Sequence, residues 1–355
     1  VEGNRHTSEA FIRRFFRPAM DTAHVYQPTM QRAVLLLNQF MDLRVQSLLE
    51  ARKDGKVDVT LKVKDERPLH AILDYDNFGV SLVGRNRVGA GVLAGNVLAG
   101  GDNLVLKVVH PFEIDGADPF VFGTYGVPVG DQGTRIEGSY AHAKTLVSGQ
   151  FAALGIEGDA DIYDLKVVVP DTLDLRTNSS WTAGIIAKEV VNTLGNGSFF
   201  ISEDDVRALA VGHRGSTFSR DGKTQIGHSG IVAVGLGSGL GGSQKGNPFT
   251  SRAAAGADNA FAKANAEVVA IHKLDAKTFL LGRFTGQVSD DAMMVPEQFA
   301  LGGPDNVRGF EVGEFLGDHG YAVSAELRHT VYQRAVSQVQ ALGFIDHGSA
   351  SIENP

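Results

Sequence analysis

Along the chain the spacing of apolar positions changes character near Pro68. Before it, residues 8–20, SEAFIRRFFRPAM, put Phe11, Ile12, Phe15 and Phe16 on one side of a helix, with Ser8 as its N-cap. A second helix is predicted from Pro28 over PTMQRAVLLLNQFMD, with Met30, Val34, Leu37 and Met41 in register. The period then drops to two. LRVQSLLEARKDG and KVDVTLKVKDERP read as a hairpin whose second arm alternates through Val57, Val59, Leu61 and Val63, with Lys53, Asp54 and Gly55 at the turn. Preceded by a strand ending at VEGN, this order describes a small α+β domain over residues 1–67.

Beyond Pro68 no long helix is predicted. Alternating segments separated by glycine-rich turns give eleven candidate strands up to residue 288, and two more, GYAVSAELRHTVY and VQALGFIDHGS, near the end. In the first of these two, Tyr321, Val323, Ala325 and Leu327 share one face, while Ser324, Glu326, Arg328 and Thr330 share the other. Periodicity alone fits lipid outside and water inside, and fits a soluble antiparallel sandwich equally. The number of strands favours closure, because open sheets of this size split or curl.

Composition narrows the function classes. The 355 residues carry a net charge of -8, which argues against a general nucleic-acid binder. With no cysteine there is no disulfide framework and no thiolate chemistry. No apolar run is long enough for a transmembrane helix, a test to which barrels are blind. The opening VEGNRHT shows no signal peptide and reads as the interior of a longer chain. Enzyme signatures do not survive inspection. GSGLGG, Gly237 to Gly242, is not followed by a helix; Gly222, Lys223 and Thr224 lack the upstream glycine of a phosphate loop; Ser229 in GHSGI lacks the last glycine of a nucleophile elbow. Glu203, Asp204 and Asp205 read as a solvated loop rather than a cation site, and no histidine pair has metal-ligand spacing.

Between the last long alternating stretches lies LGGPDNVRGFEVGEFLGD, residues 301–318. FALGGPDNVRGF, Phe299 to Phe310, resembles the loop-six motif of the TpsB two-partner-secretion transporters (FhaC/ShlB/HxuB-like), a branch of the BamA superfamily of outer-membrane proteins. LLLNQFMDLRVQSLLEARKDGKVDVTLKV is similar to the last POTRA domain of that family. LDYDNFG, GNVLAGGDNLVL, YGVPVG and SEDDVRALAVG resemble successive barrel segments, and GFIDHGSA the strand motif with an inward aspartate.

The resemblance implies a POTRA domain over residues 1–67, its first strand incomplete, and an antiparallel transmembrane barrel over residues 68–355 with loop six at about 289–318. The family barrel has sixteen strands, so the thirteen candidates imply a chain truncated at both ends. In loop six the motif is Val307, Arg308, Gly309 and Phe310. Arg308 is expected at the tip of a loop folded into the barrel, meeting Asp346 on the inner wall, with Gly302, Gly303, Gly343 and Phe344 in support. A guanidinium in a confined lumen calls for a carboxylate, which its planar fork can hold through two bonds. The pair then either braces the plug or is an ordinary lumenal ion pair.

Implied partners are a secreted TpsA-type exoprotein, outer-membrane lipid and periplasmic chaperones. A monomeric barrel with no cofactor, metal or nucleic acid is expected, in the outer membrane of a Gram-negative bacterium with its POTRA domain in the periplasm. With no nucleotide motif, transport is expected without ATP hydrolysis. The alternatives are a barrel-assembly insertase of the BamA/TamA type and a soluble β-rich binding protein.

Overall fold

The structure is a computed structural model that describes residues 1–20, 26–114 and 116–354. At the N-terminal end, α1 (Glu9–Met20) begins at Ser8, whose hydroxyl accepts from the Phe11 amide at 3.2 Å. Helix α2 (Gln27–Leu37) follows, then the hairpin of β1 (Leu43–Ala51) and β2 (Val57–Asp65). The apolar face of α1 is buried as its spacing predicts, and the rings of Phe11, Phe15 and Phe40 meet edge-on at 5.0–5.2 Å.

Two expectations are corrected here. Helix α2 ends at Leu37, so Met41 lies outside it, and the buried residues are Met30, Ala33, Leu36 and Leu37. Asn38 stops the helix because its side chain is committed to β1, accepting from the Val45 amide at 2.6 Å and donating to the Val45 carbonyl at 3.2 Å. The strand expected at VEGN is a single parallel bridge from Glu2 to Lys62.

Asp65 ties this N-terminal segment to β2 by accepting from the backbone amides of Arg5, His6 and Thr7 at 2.6–2.8 Å. Burial pushes its carboxyl up, but these donors outweigh that and hold it below the usual aspartate range. A carboxylate lowered on folding contributes stability that is complete above the ordinary value of about 3.9 and fades as pH falls through the folded-state value. Helical circular dichroism of Asp65→Asn should therefore show a lower melting temperature than wild type at pH 7, with the two converging only as pH falls through the lowered folded-state value. Parallel curves at all pH values would remove Asp65 from the account.

The rest of the chain forms one thirteen-stranded antiparallel sheet. In chain order it contains β3 (Leu69–Asp76), β4 (Arg87–Gly95), β5 (Asn103–Pro111), β6 (Phe120–Val129), β7 (Thr134–Leu146), β8 (Glu157–Leu173) and β9 (Thr177–Leu194). It continues through β10 (Phe199–Phe218), β11 (Thr224–Gly235), β12 (Ala262–Lys273) and β13 (Thr278–Ser289). After the short strands β14 (Phe299–Leu301) and β15 (Phe315–Gly317), which pair only with each other, β16 (His319–Arg334) and β17 (Ser337–Ser351) complete it. Every strand pairs with its sequence neighbour in the sheet, and the edges β3 and β17 are not paired with each other among the described residues.

Register gives the sheet two distinct faces. One carries Lys166, Lys188, Arg214, Glu267, Glu326 and Asp346, and receives the segment between β13 and β16; it is the inner face. The other exposes Leu165, Val167, Val169, Trp181, Leu209, Val211 and Val232. An apolar exposed band of that extent suits contact with hydrocarbon. The N-terminal unit touches the sheet at its turns. Phe11 packs over the turn between β4 and β5, where Gly101 leaves room for its ring, and Asp102 shapes that turn by accepting three successive backbone amides at 2.7 Å.

Candidate functional site: a loop pinned to the inner face

Residues 290–318, between β13 and β16, fold back over the inner face. Asp318 holds the base of this loop and is completely buried. It accepts from Arg252 Nη1 at 2.5 Å, the Met293 amide at 3.0 Å, Gln298 Nε2 at 3.0 Å and the Glu353 amide at 2.7 Å. Glu297 sits between Lys188 of β9, at 2.7 Å, and Lys263 of β12, at 2.8 Å. Burial pushes its carboxyl up, and the two ammonium groups outweigh this and hold it below the usual range. Met293 and Met294, both fully buried, pack with Val206, Ala208 and Phe261.

Within the loop, β14 and β15 make a short hairpin where the glycine-rich sequence suggests only irregular chain. Its side chains Phe299 and Leu301 enter gaps in the wall. A Cβ on Gly320 would lie 2.2 Å from Phe299 Cδ1, and one on Gly348 would lie 2.5 Å from Leu301 Cδ1. Gly348→Val should lift the hairpin, lowering stability by about 1–3 kcal/mol and speeding proteolysis within residues 301–318 of the full-length protein. Unchanged cleavage would mean that the fit is not what seats the hairpin.

The tip turns at Gly302 and Gly303, with φ of +111° and +106°; a side chain at Gly302 would also meet the Glu311 carbonyl. Asn306 clamps the turn, its Oδ1 accepting from the amides of Gly302 (2.8 Å) and Val307 (2.6 Å) and its Nδ2 donating to the Ala300 carbonyl at 3.0 Å. This aims Arg308 at the wall. Its Nε and Nη2 donate to the two oxygens of Asp346 at 2.6 and 2.5 Å, and its backbone amide donates to Asp346 at 3.0 Å. Nη2 also reaches Ser324 Oγ at 2.8 Å, Nη1 reaches Glu326, and the guanidinium lies 3.6 Å from the centre of the Phe344 ring. Ser324 faces Asp346 in register and Glu326 faces Phe344, so all four receptors form one patch of β16 and β17.

The other motif residues do less. Val307 packs beside Phe299, Leu301 and Ala322; Gly309 has φ of +97°; Phe310 crosses Phe315 edge-on at 5.5 Å. Gly343 is on the outer face, where a Cβ would meet nothing within 4 Å, and nothing in the structure explains it. Residues outside Val307 to Phe310 also hold the loop: Asn306, Asp318, Arg252 and Glu326, the last shared with Arg328 at 2.6 Å. Glu311 adds a link to the far edge of the sheet, accepting from Arg85 Nη2 at 2.6 Å and Ser81 Oγ at 3.0 Å, which holds its carboxyl below the usual range. Only Ser324 and Glu326 left a sequence signal, their place on the polar face of an alternating strand.

The acidic run is corrected: Glu203, Asp204 and Asp205 lie inside β10, not in a loop, because pairing with β9 carries the strand back to Phe199. Alternation points Asp204 inward, where it accepts from the Ser251 amide at 2.8 Å, and the other two outward, so they do not converge. Side chains that could share a cation, His142, Asp159 and Asp161, approach within 4.8 Å on the outer face, where Asp161 already accepts from the Tyr140 hydroxyl at 2.6 Å.

An antiparallel sheet that is apolar outside, polar inside and carries a pinned loop on its inner face defines the class of barrel-type membrane proteins. Solved structures share this fold. CdiB from Escherichia coli superposes with a TM-score of 0.78 at 17% identity over 95% of this chain and 63% of that one. CdiB from Acinetobacter baumannii gives 0.75, and BamA from Haemophilus ducreyi lacking POTRA domains 1–3 gives 0.59. In sequence, the heme/hemopexin transporter protein HuxB of Haemophilus influenzae (strain 86-028NP) is 21% identical over 98% of this chain, which spans 61% of that relative's length. Residues 55–355 match the haemolysin secretion/activation proteins ShlB/FhaC/HecB. The chain belongs to that family, the two-partner-secretion outer-membrane transporters, which are not enzymes.

Proposed function

We propose that the chain is the pore-forming part of a protein that secretes an unfolded TpsA-type partner across the outer membrane. Residues 1–67 act as a periplasmic POTRA domain that takes up the partner by strand addition, using main-chain hydrogen bonds that need no strict sequence. Residues 68–355 supply the barrel wall, and loop six is the plug that must shift for the extended partner to pass. The observation that carries this reading is Arg308, whose side chain fastens the segment between β13 and β16 to Asp346, Ser324 and Glu326 on the inner face. No step consumes a nucleotide, and ATP hydrolysis by the purified protein would contradict that.

Co-expressing the full-length protein with its partner exoprotein in a Gram-negative host tests the reading, with the partner assayed in the medium. Wild type should release it and a variant lacking residues 1–67, which cannot take up the partner, should retain it inside, while the levels of other outer-membrane proteins stay constant. Depletion of those other proteins would instead favour the insertase alternative.

A further inference from the structure

Away from the Arg308 patch, the inner face carries a second polar row, which meets the loop only at its Glu267 end, where Arg283 pairs with Glu267 and donates to the Asp305 carbonyl at 2.9 Å. Ser180 of β9, Arg214 of β10, Ser229 of β11 and Glu267 of β12 stand opposite one another in register across four strands. The row lines a cavity of about 520 Å³ whose rim includes Gln39 of the N-terminal unit, 3.4 Å from Asn178 of β9. Neighbouring cations on this face are engaged: Arg135 with Glu137 at 3.4 Å, Lys166 with Asp164 at 2.8 Å and Arg283 with Glu267 at 3.7 Å. Arg214 is exposed in the cavity, and among the described residues no carboxylate lies within ion-pair distance of it.

A guanidinium with its donors free, between two serine hydroxyls, is a receptor for an oxyanion. Its place selects the kind. The cavity lies where the N-terminal unit meets the inner wall, so a chain leaving that unit passes it extended, turning alternate side chains to the wall. A carboxylate on such a chain can take the guanidinium through two parallel bonds while the serines serve its backbone. We propose that Arg214, with Ser180 and Ser229, is a carboxylate-binding station that engages acidic side chains of the extended polypeptide on its way into the lumen. The polypeptide part of this assignment rests on the secretion pore proposed above.

The chain contains no cysteine, so Ser229→Cys places one reporter thiol in it beside Arg214. In the full-length protein in detergent, its rates of reaction with anionic 2-sulfonatoethyl and cationic 2-(trimethylammonium)ethyl methanethiosulfonate are compared. Their ratio cancels any effect of Arg214 on the thiol itself. Adding Arg214→Gln should lower the anionic-to-cationic ratio by roughly three- to tenfold at low salt. Octaglutamate should slow modification only when Arg214 is present, and octalysine should not. Ser180→Cys repeats the test from the other side should the first variant misfold.

A ratio indifferent to residue 214 would overturn the station. Equal protection by sodium phosphate at matched ionic strength would overturn its assignment to polypeptide. Bilayer conductance of wild type separates this from the parent reading: channels without the charge preference defeat the station alone, and the preference without channels defeats the pore alone.

Discussion

Arg308→Ala should free loop six from the wall and destabilise the full-length protein by about 3–5 kcal/mol. The magnitude follows from what the side chain leaves behind. Asp346 and Glu326 keep only 4% and 7% of their side-chain surface in contact with solvent, so neither can be rehydrated where it stands. Glu326 retains Arg328, whereas Asp346 loses its ion-pair partner. Arg308→Lys should recover only part of the loss. An ammonium can meet one carboxylate, but it cannot span Asp346, Ser324 and Glu326 together or lie flat on Phe344. Thermal unfolding in detergent and protease cleavage within residues 301–318 measure the two effects, and a lysine variant equal to wild type would contradict the bidentate role.

Asp318→Ala should have an effect of similar size at the other end of the loop, about 3–5 kcal/mol, with a different signature. Four donors converge on that carboxylate, including the guanidinium of Arg252 and two backbone amides, in a site with no solvent. Removing it strands a charge and leaves amides unpaired. Because Arg252 belongs to the segment between β11 and β12, both segments should loosen together. Hydrogen exchange should quicken over residues 236–261 and 290–298, while the Arg308 patch on β16 and β17 remains protected. Exchange confined to the tip would mean that the base is held by Met293 and Met294 packing instead.

What could be read in the sequence depended on how local each signal was. The alternation of β16 is complete from Tyr321 to Thr330, so the inward side of Ser324 and Glu326 follows from parity, whereas β17 sets Phe344 and Leu342 on the same face as Asp346 and its inward aspartate was legible only through the family resemblance. Strand ends were less legible. The segment expected from Asp205 begins at Phe199 in the structure, because its acidic stretch is held by pairing with β9 and not by its own apolar pattern. Helix α2 shows the same limit, since Asn38 ends it through a bond to β1 that no helical periodicity records. At the loop, the pairing of Arg308 with Asp346 came from resemblance to a family motif. The anchors around Asp318 and Glu297 unite positions up to 109 residues apart, Lys188 and Glu297 among them, and no spacing rule links them.

The most direct measurement of the central claim, that loop six closes a pore, is single-channel conductance of the full-length protein in a planar lipid bilayer, with and without residues 301–318. Wild type should show rare, small openings and the deletion large, sustained ones, with Arg308→Ala between them. Identical conductance with and without the loop, or no channel from either protein, would contradict that claim.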